Sequence, residues 1–123
     1  MPEVKVKEGE ELNGLGFMLK DLMDRNLINP QKYKAVKNMK GRVVIKESGT
    51  GVAITLSFRE GEIEIQNGAV DKRSAYMEAS FKNLAGISSG QIGPVRALLT
   101  GKAKVRGNLF KLLKILKTLI PEE

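Results

Sequence analysis

Between residues 42 and 82, apolar side chains recur at every second position, and turn signals cut the stretch into pieces too short for long helices. A period of two places alternate residues on opposite faces of an extended chain. This third of the sequence is therefore committed to β-structure with one apolar side. Residues 42–47 form a strand, and Ser48-Gly49-Thr50-Gly51 turns it. In residues 52–59, Val52, Ile54, Leu56 and Phe58 face one way and Ala53, Thr55 and Ser57 the other. Glu60-Gly61 is a tight hairpin signal. Residues 62–66 return with Ile63 and Ile65 on the apolar face, and Asn67-Gly68 turns again. Residues 75–82 set Ala75, Met77, Ala79 and Phe81 against Tyr76, Glu78, Ser80 and Lys82.

The flanks change period. Over residues 10–27, Leu12, Leu15, Leu19, Leu22 and Met23 share one helical face, with Phe17 and Met18 off that stripe. Gly14 and Gly16 weaken the first half of this helix. Asn29-Pro30 opens a second helix, with Asn as cap and Pro at the first position; it runs to about residue 39. Tyr33 and Val36 mark its inner side, and Gly41 stops it. Residues 84–93 read as irregular. Pro94 starts a short helix to residue 99, and residues 102–106 form a last strand. There Ala103 and Val105 point inward and Lys102, Lys104 and Arg106 outward.

Gly107-Asn108 then caps a final helix. Leu109, Leu112, Leu113, Leu116, Leu119 and Ile120 gather in an arc of roughly 100°, the width of a core-facing stripe. Lys111, Lys114 and Lys117 lie opposite, with Phe110 among them, and Ile115 falls off the stripe. Each strand has one apolar and one polar face. The expected class is therefore α+β: a mostly antiparallel sheet covered on one side by helices, in a single domain spanning 1–123.

The chain of 123 residues is long enough for one real core. It has no Cys and no His, which removes disulfides, thiol nucleophiles, zinc clusters and the Ser-His pattern together. No carboxylate cluster is spaced for a metal, and no glycine-rich phosphate loop is present. No enzyme activity and no cofactor are expected. No apolar stretch approaches the roughly 20 residues that span a bilayer. The start, MPEVKVKEGEEL, is polar and acidic rather than a secretory signal, which points to the cytoplasm.

The net charge is +7, unevenly spread. Residues 1–24 set three lysines against six carboxylates, a net −3. The positive excess lies in Lys32, Lys34, Lys37, Lys40, Arg42 and Lys46, and again in Lys102, Lys104, Arg106, Lys111, Lys114 and Lys117. It fits an anionic partner or a plain solvated face. Nucleic acid is the poorer partner. Aromatic residues are 5% of the chain, and only Tyr76 stands on a polar strand face, beside Glu62, Glu64 and Glu78. Stacking platforms need more rings and fewer carboxylates. Phe110 among lysines is instead an interfacial pattern, suited to an anionic membrane surface.

The run GQIGPVRALLTGKAKVRGN, at residues 90–108, resembles the signature of the sterol carrier protein 2 family. The matching positions are Gly90, Ile92, Pro94, Ala97, Leu98, Gly101, Lys102, Lys104, Val105, Gly107 and Asn108, and a leucine-rich amphipathic helix follows them without a gap. Three features depart from the pattern: Gln91 for a basic residue, Ala103 for a larger aliphatic, and residues 83–89 in place of a short helix with acidic residues. The resemblance implies a five-stranded sheet with an apolar tunnel beneath the helices, the last helix forming one wall. It implies binding and transfer, without chemistry, of a fatty acid, fatty acyl-CoA, phospholipid or isoprenoid.

On that reading the ligand lies against Ile54, Leu56, Phe58, Met77, Phe81, Ala103 and Val105. Leu109, Leu112, Leu113 and Leu116 close over it. Lys102, Lys104, Phe110, Lys111 and Lys114 meet a headgroup or membrane. Gly101 and Gly107 are turns, or else a hinge for the helix. Three other readings stand beside it. The chain could be an accessory protein of lipid or quinone biosynthesis that presents a prenyl or acyl intermediate, a basic nucleic-acid binder, or a domain whose own side chains fill the apolar space.

Overall fold

The computed structural model describes residues 4–119. Its strands are β1 (Val4–Val6), β2 (Gly41–Glu47), β3 (Ala53–Arg59), β4 (Glu62–Asn67), β5 (Ala75–Ala79) and β6 (Lys104–Gly107). Its helices are α1 (Gly14–Leu27), α2 (Pro30–Val36), α3 (Phe81–Ser88), α4 (Pro94–Leu99) and α5 (Leu109–Leu119). The strands make one sheet in the order β1-β4-β3-β2-β5-β6. It has six strands rather than five, and it is mixed. β2–β3, β3–β4 and β5–β6 are antiparallel, whereas β1–β4 and β2–β5 are parallel. The α+β class holds, with the helices on the face that carries Val43, Ile45, Ile54, Leu56, Ile65 and Met77.

Capping side chains set the helix bounds. α1 begins at residue 14 and not 10, because Asn13 accepts from the Gly16 N–H at 2.8 Å and donates to the Ala53 carbonyl at 3.1 Å. Asn67 ties the preceding turn down, accepting from the Asn13 N–H and donating to the Glu11 carbonyl. Residues 10–12 are thereby spent on anchoring the chain to the ends of β3 and β4. α2 opens as expected on Asn29 and Pro30 but ends at Val36.

Two expectations fail around residue 80. The strand stops at Ala79, and Ser80 caps a helix by accepting from the Asn83 N–H at 3.1 Å. Phe81 is thus the first residue of α3 and not an inward strand residue. Of residues 84–93, read as irregular, 84–88 are helical despite Gly86, because Ile92 packs where a Cβ of residue 86 would stand, its Cδ1 2.6 Å from that position.

The outer face is not simply open to water. β4 ends beside Ile54, near the Glu47 end of β2, whereas parallel β5 starts beside Val43, near the opposite end. Residues 68–74 must therefore run the length of the sheet. They cross its outer face: Thr55 Oγ1 donates to the Gly68 carbonyl at 2.8 Å, the Arg73 guanidinium sits 4.6 Å from the Tyr76 ring centroid, and the Ser74 N–H reaches the Arg42 carbonyl. Val44 and Thr55 are consequently fully buried on the side expected to be polar.

Candidate functional site

α5 lies among α1, α2, α3, α4 and β5, so it is buried on more than one side. Its first turn is fastened. Asn108 accepts from the Lys111 N–H, and the Asn108 N–H itself donates to the Ser74 carbonyl at 3.0 Å. Gly107 precedes it at φ 82°, and a Cβ there would collide with the Ser74 carbonyl oxygen. Of the two roles considered for this glycine, the packing supplies a reason for the turn. Among the described side chains of this helix, Leu112, Ile115 and Leu116 are fully buried, and Leu113 is half-buried. Ile115, placed off the stripe by the sequence, therefore faces the core. The inner face is turned toward it because neighbouring helices cover that flank too. Leu109, placed on the inner face, is instead exposed at the overhanging first turn. The side chain of Leu119, and Ile120, lie outside the described residues.

Beneath α5, Ile54, Leu56, Phe58 and Met77 project from the sheet into the same apolar cluster. Ala103 is buried just before β6, and Val105 is half-buried on it. Ile54, Leu56, Met77 and Leu112 have no solvent-accessible surface. The layer between sheet and helices is thus filled by contacts among these side chains, and an inserted chain must part them.

An accessible apolar recess lies at the Glu47 end of β2. It has a volume of about 620 Å³ and is lined by Asn13, Gly14, Leu15, Met18, Glu47, Thr50, Val52 and Phe81. Phe81 is the only expected site residue among them, and the residue is 56% exposed. Glu47 is the charged side chain in this wall. Its Oε2 accepts from the Thr50 N–H at 2.6 Å and from Thr50 Oγ1 at 3.0 Å. The Thr50 N–H, with further help from the Thr50 hydroxyl and the Phe81 and Gly49 N–H groups, holds the Glu47 carboxyl below its ordinary pKa. The recess draws on three distant segments, which hid it from a reading of local periodicity. Met18, off the α1 stripe, and Val52 and Phe81, read on apolar strand faces, were its separate traces in the sequence.

The basic residues gather at the other end of the sheet. Lys40, Phe110, Lys111 and Lys114 line a shallow recess of about 400 Å³ together with Asn38, Met39 and Asn108. Phe110 is 79% exposed, and Lys111 Nζ donates to the Lys40 carbonyl. Lys40 was not among the expected contact residues. Lys102 and Lys104 do not join this group. Lys104 pairs across the sheet with Glu78 on the outer face, and Glu78 in turn pairs with Lys46. On that face Glu78 also accepts from the Tyr76 hydroxyl at 2.6 Å, and burial followed by this bond pushes the Tyr76 phenol up.

A mixed sheet faced by helices, with an aliphatic layer closed by a C-terminal amphipathic helix, defines an α+β fold built around an apolar interior. Residues 19–119 match the model of the SCP-2 sterol transfer family, and the chain belongs to that family. The fold is shared with a structure described as UbiJ-SCP2 Ubiquinone synthesis protein (13% identity, TM-score 0.64, 86% of this chain and 85% of that one). A crystal structure of sterol carrier protein 2 gives 15% identity and a TM-score of 0.62, covering 85% of this chain and 94% of that one. The apo form of Sterol Carrier Protein 2 from Yarrowia lipolytica gives 22% and 0.62, covering 92% of this chain and all (100%) of that one. A search of curated proteins returns no significant match.

Proposed function

We propose that the whole chain acts as one lipid-binding domain that takes up a long apolar ligand between sheet and α5 and transfers it without altering it. The observation that carries this reading is the aliphatic layer itself. Ile54, Leu56, Phe58, Met77, Ala103 and Val105 lie below, Leu112, Ile115 and Leu116 lie above, and the Phe81 recess opens beside it; Leu113, expected in this wall, is half-buried outside it. Each ligand methylene withdrawn from water contributes about 0.8 kcal/mol, so a long chain can replace the contacts it displaces without any catalytic group.

The corner of Lys40, Phe110, Lys111 and Lys114 suits an anionic membrane surface. Each basic residue near such a surface contributes about 1 kcal/mol, and an exposed ring can enter the headgroup layer. Lys104 belongs to the outer sheet face and Lys102 lies outside the lining of this corner, so both contribute less to that contact. Nucleic acid remains the poorer partner, because Lys46, Glu78 and Lys104 alternate in sign along the outer face and Tyr76 is held by Arg73 and Glu78.

A second reading, presentation of a prenyl or acyl intermediate to partner enzymes, is favoured by Val95 and Leu99. They stand one turn apart on α4 and are both exposed. Native mass spectrometry of the purified protein tests the main reading. Co-purified fatty acid, phospholipid or isoprenoid is the expected result. A protein that carries no lipid and ignores added amphiphiles and anionic vesicles would sink it.

A further inference from the structure

We propose that the recess at the Glu47 end selects amphiphiles by their head: it takes chains ending in a hydrogen-bond donor, a hydroxyl or a protonated amine, over chains ending in a carboxylate. This rests on the lipid-binding reading and adds a specificity determinant to it. Leu15, Met18, Val52 and Phe81 supply apolar wall, and the volume of about 620 Å³ falls in the range of about 300–1,000 Å³ usual for small-molecule sites. A chain seated there brings its polar end to the rim, where Glu47 stands.

Glu47 is fixed in place. Thr50 holds its carboxylate through the backbone N–H and the hydroxyl, so the group is pre-set without help from a ligand. An ionised carboxylate only accepts hydrogen bonds. A hydroxyl can donate to it, an ammonium can donate and attract, and a second carboxylate can do neither. The sign is set by Glu47 itself: Glu10 is held two strands away by the N–H of Asn67, and Lys46, whose Cε lies 4.0 Å from where a Cβ of Gly51 would stand, is registered against Glu78 on the outer face.

The chain's overall positive charge does not reverse the preference. The lysine corner begins at Lys40, and Glu47 lies at the far end of β2 (Gly41–Glu47). The six strand steps from Gly41 to Glu47, at roughly 3.3 Å each, alone set them about 20 Å apart. The screening length at physiological salt is about 8 Å, so Lys40, Lys111 and Lys114 exert little pull on a head at the Glu47 rim.

Dodecylamine, 1-dodecanol and dodecanoate share one chain and differ only in the head. Their affinities are compared by displacement of a fluorescent lipid probe, and their location by methyl NMR shifts at Leu15, Met18 and Val52. The wild type should bind the amine about 30-fold more tightly than dodecanoate, because one charge about 4 Å away in water favours the ammonium by about five-fold and disfavours the carboxylate by as much. The alcohol should fall between them. Glu47→Gln should erase the difference, and Glu47→Lys should invert it. Equal affinities in the wild type, or a preference untouched by both substitutions, would overturn the proposal. So would shifts that spare Leu15, Met18 and Val52, which would leave the recess to an apolar segment of another protein. If none of the three amphiphiles binds, the lipid-binding reading itself fails, and head selection fails with it.

Discussion

The two ends of β2 are built from opposite materials. At Glu47 the wall is largely aliphatic and aromatic with one carboxylate in it. At Gly41 the wall is lysine with one exposed phenyl ring, and the recess lining there contains no acidic side chain. The first end is suited to holding a molecule by its tail. The second is suited to holding the protein against a sheet of negative charge. On the proposed reading, separating them would let one helix layer serve both, since a headgroup drawn by Lys111 and Lys114 would not thereby be pulled into the Phe81 recess.

The largest test of this division acts on what the two ends share. Leu116→Ala removes a fully buried side chain from the inner face of α5 and should cost about 2–5 kcal/mol, read as a lowered chemical-denaturation midpoint. Both ends should weaken together. Lys111→Ala with Lys114→Ala should separate them. At about 1 kcal/mol per lysine, binding to anionic vesicles should fall roughly 30-fold while amphiphile affinity at the Glu47 recess stays within two-fold. Vesicle sedimentation and probe displacement on the same protein would show it, and a parallel loss at both ends would break the comparison. Phe110→Ala should weaken vesicle binding several-fold and leave the melting temperature unchanged, because the ring is 79% exposed.

The smallest effect is electrostatic. The Thr50 N–H depresses the folded-state pKa of Glu47 below its ordinary value of 4.5, so the carboxylate's contribution is full above that pH. It is lost as pH falls through the folded-state value. Stability of the wild type and of Glu47→Gln should therefore converge on acidification below about pH 4.5 and differ above it. Curves that stay parallel would show that the Thr50 contacts contribute nothing to folding.

Where a single period governs a segment, the sequence was readable. β3, β4 and α1 fall close to where Leu56, Ile65 and Leu19 put them. Elements defined by contact were not. β1 is three residues long and parallel to β4, too short for an alternation to register. α3 depends on the Ser80 cap and on Ile92 lying against Gly86, neither of which has a periodic signature. Ile115 was misplaced because a stripe calculation assumes one covered side, whereas α5 has helices around it. The aliphatic half of the site was visible as strand and helix faces. The recess was not, because Met18, Glu47 and Phe81 meet only through the capping of α1 and α3 and the turn at residues 48–51.

The fastening of the first turn of α5 has a mechanical consequence. Asn108 is bonded to Ser74, and Lys111 to the Lys40 carbonyl, so the beginning of the helix is a fixed bearing. The eleven residues that follow form a lever about 16 Å long. A tilt of about 10° about that bearing would lift the far tip by roughly 3 Å, while the residues near the pivot scarcely move. Amide exchange along α5 should then quicken steadily from Leu112 toward Lys117. A uniform rate would mean that the helix leaves the sheet as a rigid plank instead.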